Sequence, residues 1–187
     1  AVFVCLQPDH EARADTVGVP CAGVEIKVAE DGEILLKGPG VMNGYHDLPE
    51  ATAEAISADG WFHTGDIGEL DAEGYLRITD RKKDIIIRGG ENISAKEIED
   101  CLHLHPKVKE AAVVAMPHQR LGEGVCVFMI LQADIESLSL EEVAAFTNDQ
   151  GLARQKIPER LEVVEDLPRT PSGKVRKDRL RVQLRDQ

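Results

Sequence analysis

The 187-residue sequence has no run of about 18 apolar residues, the length a membrane-crossing helix needs, so a transmembrane segment is excluded as an expectation. Its first residues, AVFVCLQPDHEAR, have no basic start and soon meet Pro8 and Asp9, which is a poor match to a secretory signal, and the chain reads as cytoplasmic. Cysteine is sparse. Cys5, Cys21, Cys101 and Cys126 form no CxxC pair, and reduced, buried thiols fit that spacing better than a disulfide or zinc framework. The six histidines include no HExxH, and His103 and His105, two apart at a helix end, point to different faces, so no metal site is expected. A basic excess is missing too. The formal net charge of −12 argues against general nucleic-acid binding, which needs cations to neutralise phosphates.

What is present is 42% apolar content, ordinary for a folded soluble protein of one compact domain or two small ones. The charge is unevenly spread: residues 1–82 carry 6 Lys+Arg against 16 Asp+Glu, whereas residues 83–187 carry 16 against 18. The last nineteen residues reverse the sign locally, with Arg169, Lys174, Arg176, Lys177, Arg179, Arg181 and Arg185 facing only Asp178 and Asp186. A small anion could be held there, although cations near a helix carboxyl end are also simply favourable.

Periodicity divides the chain in the same place. VEIKVA and EILLKG flank Asp31-Gly32 as a hairpin, a short helix follows Pro49, and GWFHTGDIGEL and GYLRITDR flank a second turn at residues 71–74. The cluster Arg81, Lys82, Lys83, Asp84 then breaks the pattern. Beyond it, DIIIR reads as a strand and Gly89, Gly90, Glu91 and Asn92 as a loop. Ser94 with Glu97, and Ser139 with Glu142, predict capping boxes that open helices, the first burying Ile98, Cys101 and Leu102 and the second Val143, Ala144 and Phe146. AAVVAM, VCVFMIL and RLEVVEDL read as strands, and a last helix follows PRTPSGK. The expected fold is α+β: a β-rich partial barrel over residues 1–82, then a compact mixed-sheet domain with flanking helices over residues 83–187.

Three segments carry candidate chemistry. In Pro168-Arg169-Thr170-Pro171-Ser172-Gly173-Lys174, two prolines and a glycine define a turn that projects the Lys174 charge, suited to a carboxylate or phosphoryl oxygen. It is not a P-loop, since GxxxxGK[ST] is absent. In Thr64-Gly65-Asp66, a carboxylate at a strand end could accept two ribose hydroxyl hydrogens. In Arg88-Gly89-Gly90-Glu91-Asn92, paired glycines permit close approach of a backbone or a ligand. Each alone is a common surface turn.

Taken together and in order, GEILLKGPGVMNGY, GWFHTGDIGELDAEGYLRITDRKKDIIIRGGENISAKEIE, HPKVKEAAVVAMP with Gly122-Glu123, and LPRTPSGKVRKDRLR resemble successive motifs of the adenylate-forming superfamily of acyl-CoA synthetases, luciferases and peptide-synthetase adenylation domains. DRKKDIIIRGGENIS is more similar to the acyl- and aryl-CoA ligase form. The resemblance covers nearly the whole chain and corresponds to the carboxy-terminal portion of such an enzyme.

What it implies is an AMP-forming ligase joining a fatty or other carboxylic acid to coenzyme A in two steps, with ATP and coenzyme A as its nucleotide partners. Carried over by motif, Asp66 and Arg81 bind the ATP or AMP ribose, Lys83 is the hinge of a mobile carboxy-terminal domain, Lys174 is the catalytic adenylation lysine, and Gly89 and Gly90 line the pantetheine tunnel. The phosphate loop, the acyl pocket and the acidic ligand of Mg2+ are expected upstream of Ala1, so the isolated chain is expected to be inactive. Two alternatives stay open: a non-catalytic interaction module of the same fold, and an adenylation domain that loads a carrier protein. Peripheral membrane association stays open as well.

Overall fold

The computed structural model describes residues 5–8 and 11–185, the side chain of Arg185 excepted; Asp9, Asp186, that side chain and the whole AVFV start therefore lie outside it. The chain divides after Lys83 into two compact units, Ala1–Lys83 and Asp84–Gln187.

The first unit is built on hairpins. Strands β1 (Cys5–Leu6) and β2 (Val19–Pro20) form a two-stranded antiparallel pair. A curled four-stranded antiparallel sheet follows in chain order, β3 (Glu25–Val28), β4 (Glu33–Lys37), β5 (Phe62–Leu70) and β6 (Leu76–Arg81). Helix α1 (Pro49–Ala55) begins with a proline, whose missing N–H costs nothing in a first turn. Ile34, Leu36 and Leu76 make a small core with Ile26, Val41 and Phe62 packed against it.

Two irregularities shape this sheet. Between β4 and β5 the register jumps from Glu33 opposite Ile67 to Leu35 opposite His63, so Thr64, Gly65 and Asp66 arch out against a single partner residue. Between β5 and β6 the pairs Leu70 with Leu76, Glu69 with Arg77 and Gly68 with Ile78 give way to Ile67 with Asp80 and Asp66 with Arg81, leaving Thr79 as an extra residue. The Thr79 hydroxyl donates to the Ile67 carbonyl at 3.2 Å.

A single 3-10 turn, Lys82–Asp84, crosses the division. The second unit centres on β10 (Gly122–Leu131), paired antiparallel along its length with β9 (Val108–His118) and on its other edge with β11 (Arg160–Val163), parallel, and β7 (Ile86–Arg88), antiparallel. Strand β8 (Glu91–Ile93) pairs with β7. Here the expected loop at residues 89–92 is corrected: Glu91 and Asn92 belong to a strand, and the turn is Gly89 and Gly90 alone.

The near-continuous apolar runs of β9 and β10 follow from burial on both faces. Ala111, Val113, Val125, Val127 and Met129 face helices α2 (Ala95–Leu102) and α3 (Leu140–Asp149), while Ala112, Val114, Cys126 and Phe128 face Leu180 and Leu184 of helix α4 (Lys177–Arg185). The capping box at Ser139 and Glu142 is complete. At α2, Ser94 accepts from the Glu97 amide at 3.1 Å, and the Glu97 carboxylate is engaged by Lys156 at 2.7 Å. Phe146 is half-buried and meets the His105 ring edge-on, with centroids 4.5 Å apart.

Candidate functional site

In the first unit, Asp66 and Arg81 face each other across β5 and β6, with Arg81 Nε 2.7 Å from Asp66 Oδ1. Asp66 also lines a cavity of about 430 Å³ walled by Leu36, Val41, Met42, Phe62 and Thr64, so its carboxylate sits at the polar end of a largely apolar cleft. The arch that presents it is tied down by side chains in place of ladder bonds. Thr64 Oγ1 donates to the Ile34 carbonyl at 2.7 Å and accepts the Asp66 amide at 3.1 Å. Gly65 adopts φ +71°, a conformation that favours glycine, and its amide donates to Glu33 Oε1 at 3.0 Å.

Glu33 was not singled out from the sequence, yet it is a buried carboxylate with three partners. Besides Gly65, His63 Nδ1 and Lys82 Nζ each lie 2.9 Å from its Oε2. Burial alone would raise its pKa, but the bonds from His63, Lys82 and the Gly65 amide outweigh that penalty and hold it below the usual carboxylate range. Lys82 also contacts Asp31 at 2.8 Å, and its two carboxylate partners, Asp31 foremost, raise its pKa. The Gly-Glu pair at the head of EILLKG was the available signal; its partners, thirty and forty-nine residues away, leave no local pattern.

Lys83 occupies the middle of the 3-10 turn between two anchored residues. Lys82 is fastened within the first unit as just described, and Asp84 is held within the second by Arg181 at 2.6 Å.

In the second unit, Gly89 and Gly90 have φ of +60° and +89°, as a two-residue hairpin turn with both central residues left-handed demands. Nothing lies within 4 Å of where a Gly90 side chain would begin, so glycine is required there by the backbone and not by lack of room. The hairpin is fastened at three points. The Gly89 amide donates to the Leu121 carbonyl at 2.8 Å, the Ile87 amide to Glu123 Oε2 at 2.7 Å, and Arg88 Nη2 to Glu159 Oε1 at 2.7 Å. Arg88 Nε is buried without a hydrogen-bond partner among the described residues. Sequence reasoning named Arg88 only as part of its loop and missed its partner Glu159, seventy-one positions away.

Lys174 stands on an exposed loop closed by a bridge between Arg169 and Val175. Thr170 N–H donates to the Lys174 carbonyl at 2.8 Å, the Gly173 amide returns to Thr170 at 2.9 Å, and Arg169 is pinned to Glu110 at 2.6 Å. The backbone is thus firm while the Lys174 ammonium has no ion-pair partner among the described residues. The expected basic tail is largely paired: Arg169 with Glu110, Arg176 with Asp178, Lys177 with Glu99 and Arg181 with Asp84.

Residues 97–174 match the family described as the AMP-binding enzyme C-terminal domain. The chain is 51% identical over 176 residues to the medium-chain fatty-acid–CoA ligase of Escherichia coli, covering 89% of this chain and 31% of that protein. ATP-bound MatB from Rhodopseudomonas palustris superposes with a TM-score of 0.84 at 35% identity, covering 96% of this chain and 37% of that one. The o-succinylbenzoate CoA synthetase from Bacillus subtilis, in complex with its acyl-adenylate intermediate, gives 0.77 at 36% identity over 92% of this chain and 36% of its own. The proteins that the chain resembles are acyl-CoA ligases and adenylation enzymes, and the part that it shares with them is their carboxy-terminal region. The chain spans about a third of the length of the curated relatives it matches.

Proposed function

We propose that this chain is the carboxy-terminal part of an ATP-dependent, AMP-forming ligase that joins a carboxylic acid to coenzyme A. The observation that carries this reading is Lys174: an exposed ammonium on a hydrogen-bonded loop, inside a family domain whose relatives include CoA ligases.

The acid's carboxylate attacks the α-phosphorus of ATP, expelling pyrophosphate and leaving an acyl-adenylate. Two anions meet in that step, and one positioned cation lowers its barrier by stabilising charge shared between nucleophile and leaving group. Lys174 supplies it. Asp66, oriented by Arg81, accepts the ribose hydroxyls of ATP and of the adenylate. In the second step the coenzyme A thiol attacks the acyl carbonyl and releases AMP; it needs the Gly89 and Gly90 hairpin beside the adenylate instead of the lysine. Exchange of the two elements by rotation about Lys83 serves both steps. Support for that pivot comes from its neighbours, because Lys82 and Asp84 are each held by carboxylate or guanidinium partners inside their own unit.

No group of three or more His, Cys, Asp or Glu side chains among the described residues is arranged to hold a metal ion.

The test uses the full-length protein carrying this chain, with pyrophosphate release measured over a panel of fatty and aromatic acids. Lys174→Ala is expected to slow adenylation by about two to three orders of magnitude while sparing thioester formation from supplied acyl-adenylate. Equal loss in both half-reactions, or transfer to a carrier protein but never to coenzyme A, would refute the assignment. The isolated chain is expected to release no pyrophosphate.

A further inference from the structure

The arch at Thr64, Gly65 and Asp66 has left the ladder between β4 and β5, so its aim depends on whatever captures its loose amides. The Gly65 amide, which precedes Asp66, is captured by Glu33 Oε1 at 3.0 Å. The other oxygen of the same carboxylate receives Lys82 Nζ at 2.9 Å, and Lys82 is the residue after Arg81. One buried carboxylate therefore grips the chain beside both members of the Asp66 and Arg81 pair, from the strand behind them.

We propose that Glu33 is a positioning residue for ribose recognition: it fixes the arch that aims Asp66 and ties it to the strand end that carries Arg81. This rests on the reading of Asp66 as the ribose ligand. His63, 2.9 Å from Glu33 Oε2, completes the support and keeps the carboxylate from turning away. Being buried behind the arch, Glu33 acts through the backbone and not by touching nucleotide.

The experiment compares ATP with 2′,3′-dideoxy-ATP, which lacks the hydroxyls Asp66 is assigned to bind, by calorimetric titration of the full-length protein. The ratio of the two affinities is a readout that general loosening of the fold would not move. Asp66→Ala is expected to abolish the preference for ATP. Glu33→Ala should lower that preference about tenfold and leave the dideoxy affinity unchanged, the effect expected when one charge-assisted support is lost. Glu33→Gln keeps an acceptor for Gly65 but none suited to both His63 and Lys82, and is expected to fall between. In the Asp66→Ala background, Glu33→Ala should add nothing, because both act through one contact.

If Asp66→Ala loses the preference while Glu33→Ala and Glu33→Gln keep it, the positioning role is refuted and the ribose reading stands. If Asp66→Ala itself keeps the preference, the ribose reading falls and takes this inference with it. Should Glu33→Ala fail to fold, the near-isosteric Glu33→Gln decides on the same ratio.

Discussion

Replacing Glu159 with alanine removes the carboxylate that holds Arg88 at 2.7 Å beside the turn of Gly89 and Gly90. The Arg88 and Glu159 side chains are 19% and 28% exposed, so the pair is neither fully dry nor freely solvated. Breaking one partner of a fully buried pair costs about 3–5 kcal/mol, and a charge-assisted hydrogen bond about 1.5–3 kcal/mol. With residual water contact, and with Arg88 Nε already unsatisfied, the expected loss is about 2 kcal/mol. At a urea slope of about 2 kcal/mol per molar, the midpoint should fall by about 1 M. A second substitution sharpens the test. A side chain at Gly124 would place its Cβ 2.5 Å from Glu159 Oε2 and 3.0 Å from the Met116 methyl, so Gly124→Ala should cost about 1–3 kcal/mol by overpacking. With Glu159 gone the tighter clash is gone, and the double variant should be more stable than the sum of the single losses predicts. Urea unfolding of the four proteins measures both terms. A midpoint shift near zero for Glu159→Ala, or strict additivity with Gly124→Ala, would refute the reasoning.

Three further outcomes are expected. Lys83→Pro should preserve one half-reaction and block the other in the full-length protein, because proline fixes φ and drives Lys82 out of its helical turn, whereas Lys83→Ala should be mild; unimpaired turnover of the proline variant would move the pivot elsewhere. The Cys126 thiol, buried and pushed up to about 12, should resist alkylation at pH 8 until the protein unfolds, while half-buried Cys21 reacts; equal rates in the folded state would contradict this. Glu33 has a lowered folded-state pKa, so its stabilisation is present above the ordinary glutamate value of about 4.3 and disappears as pH falls through the folded value. Lys82, raised, stabilises below about 10.4 and loses that contribution as pH rises through its folded value. The urea-midpoint gap between wild type and Glu33→Gln should therefore narrow on acidification from pH 7, and a constant gap would show that ionised Glu33 is not the source.

Local signals carried most of the element pattern. The turns at Gly32 and residues 71–74, the proline at α1 and the serine caps of α2 and α3 are short-range chemistry, and each marks an element boundary in the structure. Strand β8 was hidden because three residues, two of them the polar Glu91 and Asn92, show no apolar alternation, and its pairing comes entirely from the glycine turn that folds it onto β7. The parallel pairing of β10 with β11 has no sequence counterpart at all, since no turn sets its register. The same divide runs through the candidate site. Lys174 and the hairpin glycines stand out because their own loops define them. Glu33 with Lys82, and Arg88 with Glu159, become partners only when segments distant in the chain meet.

The extra residue at Thr79 decides the sign of the charge that Asp66 meets. Counting outward from Leu70 opposite Leu76 without interruption would set Asp66 against Asp80, two carboxylates side by side on neighbouring strands. One surplus position slides the far end of β6 by a single step, so that a guanidinium arrives there and Asp80 turns to the buried side. A single-residue deletion in this hairpin would thus exchange attraction for repulsion at Asp66 while leaving every residue of the motif intact, and a reader of aligned letters alone would see nothing missing but a threonine.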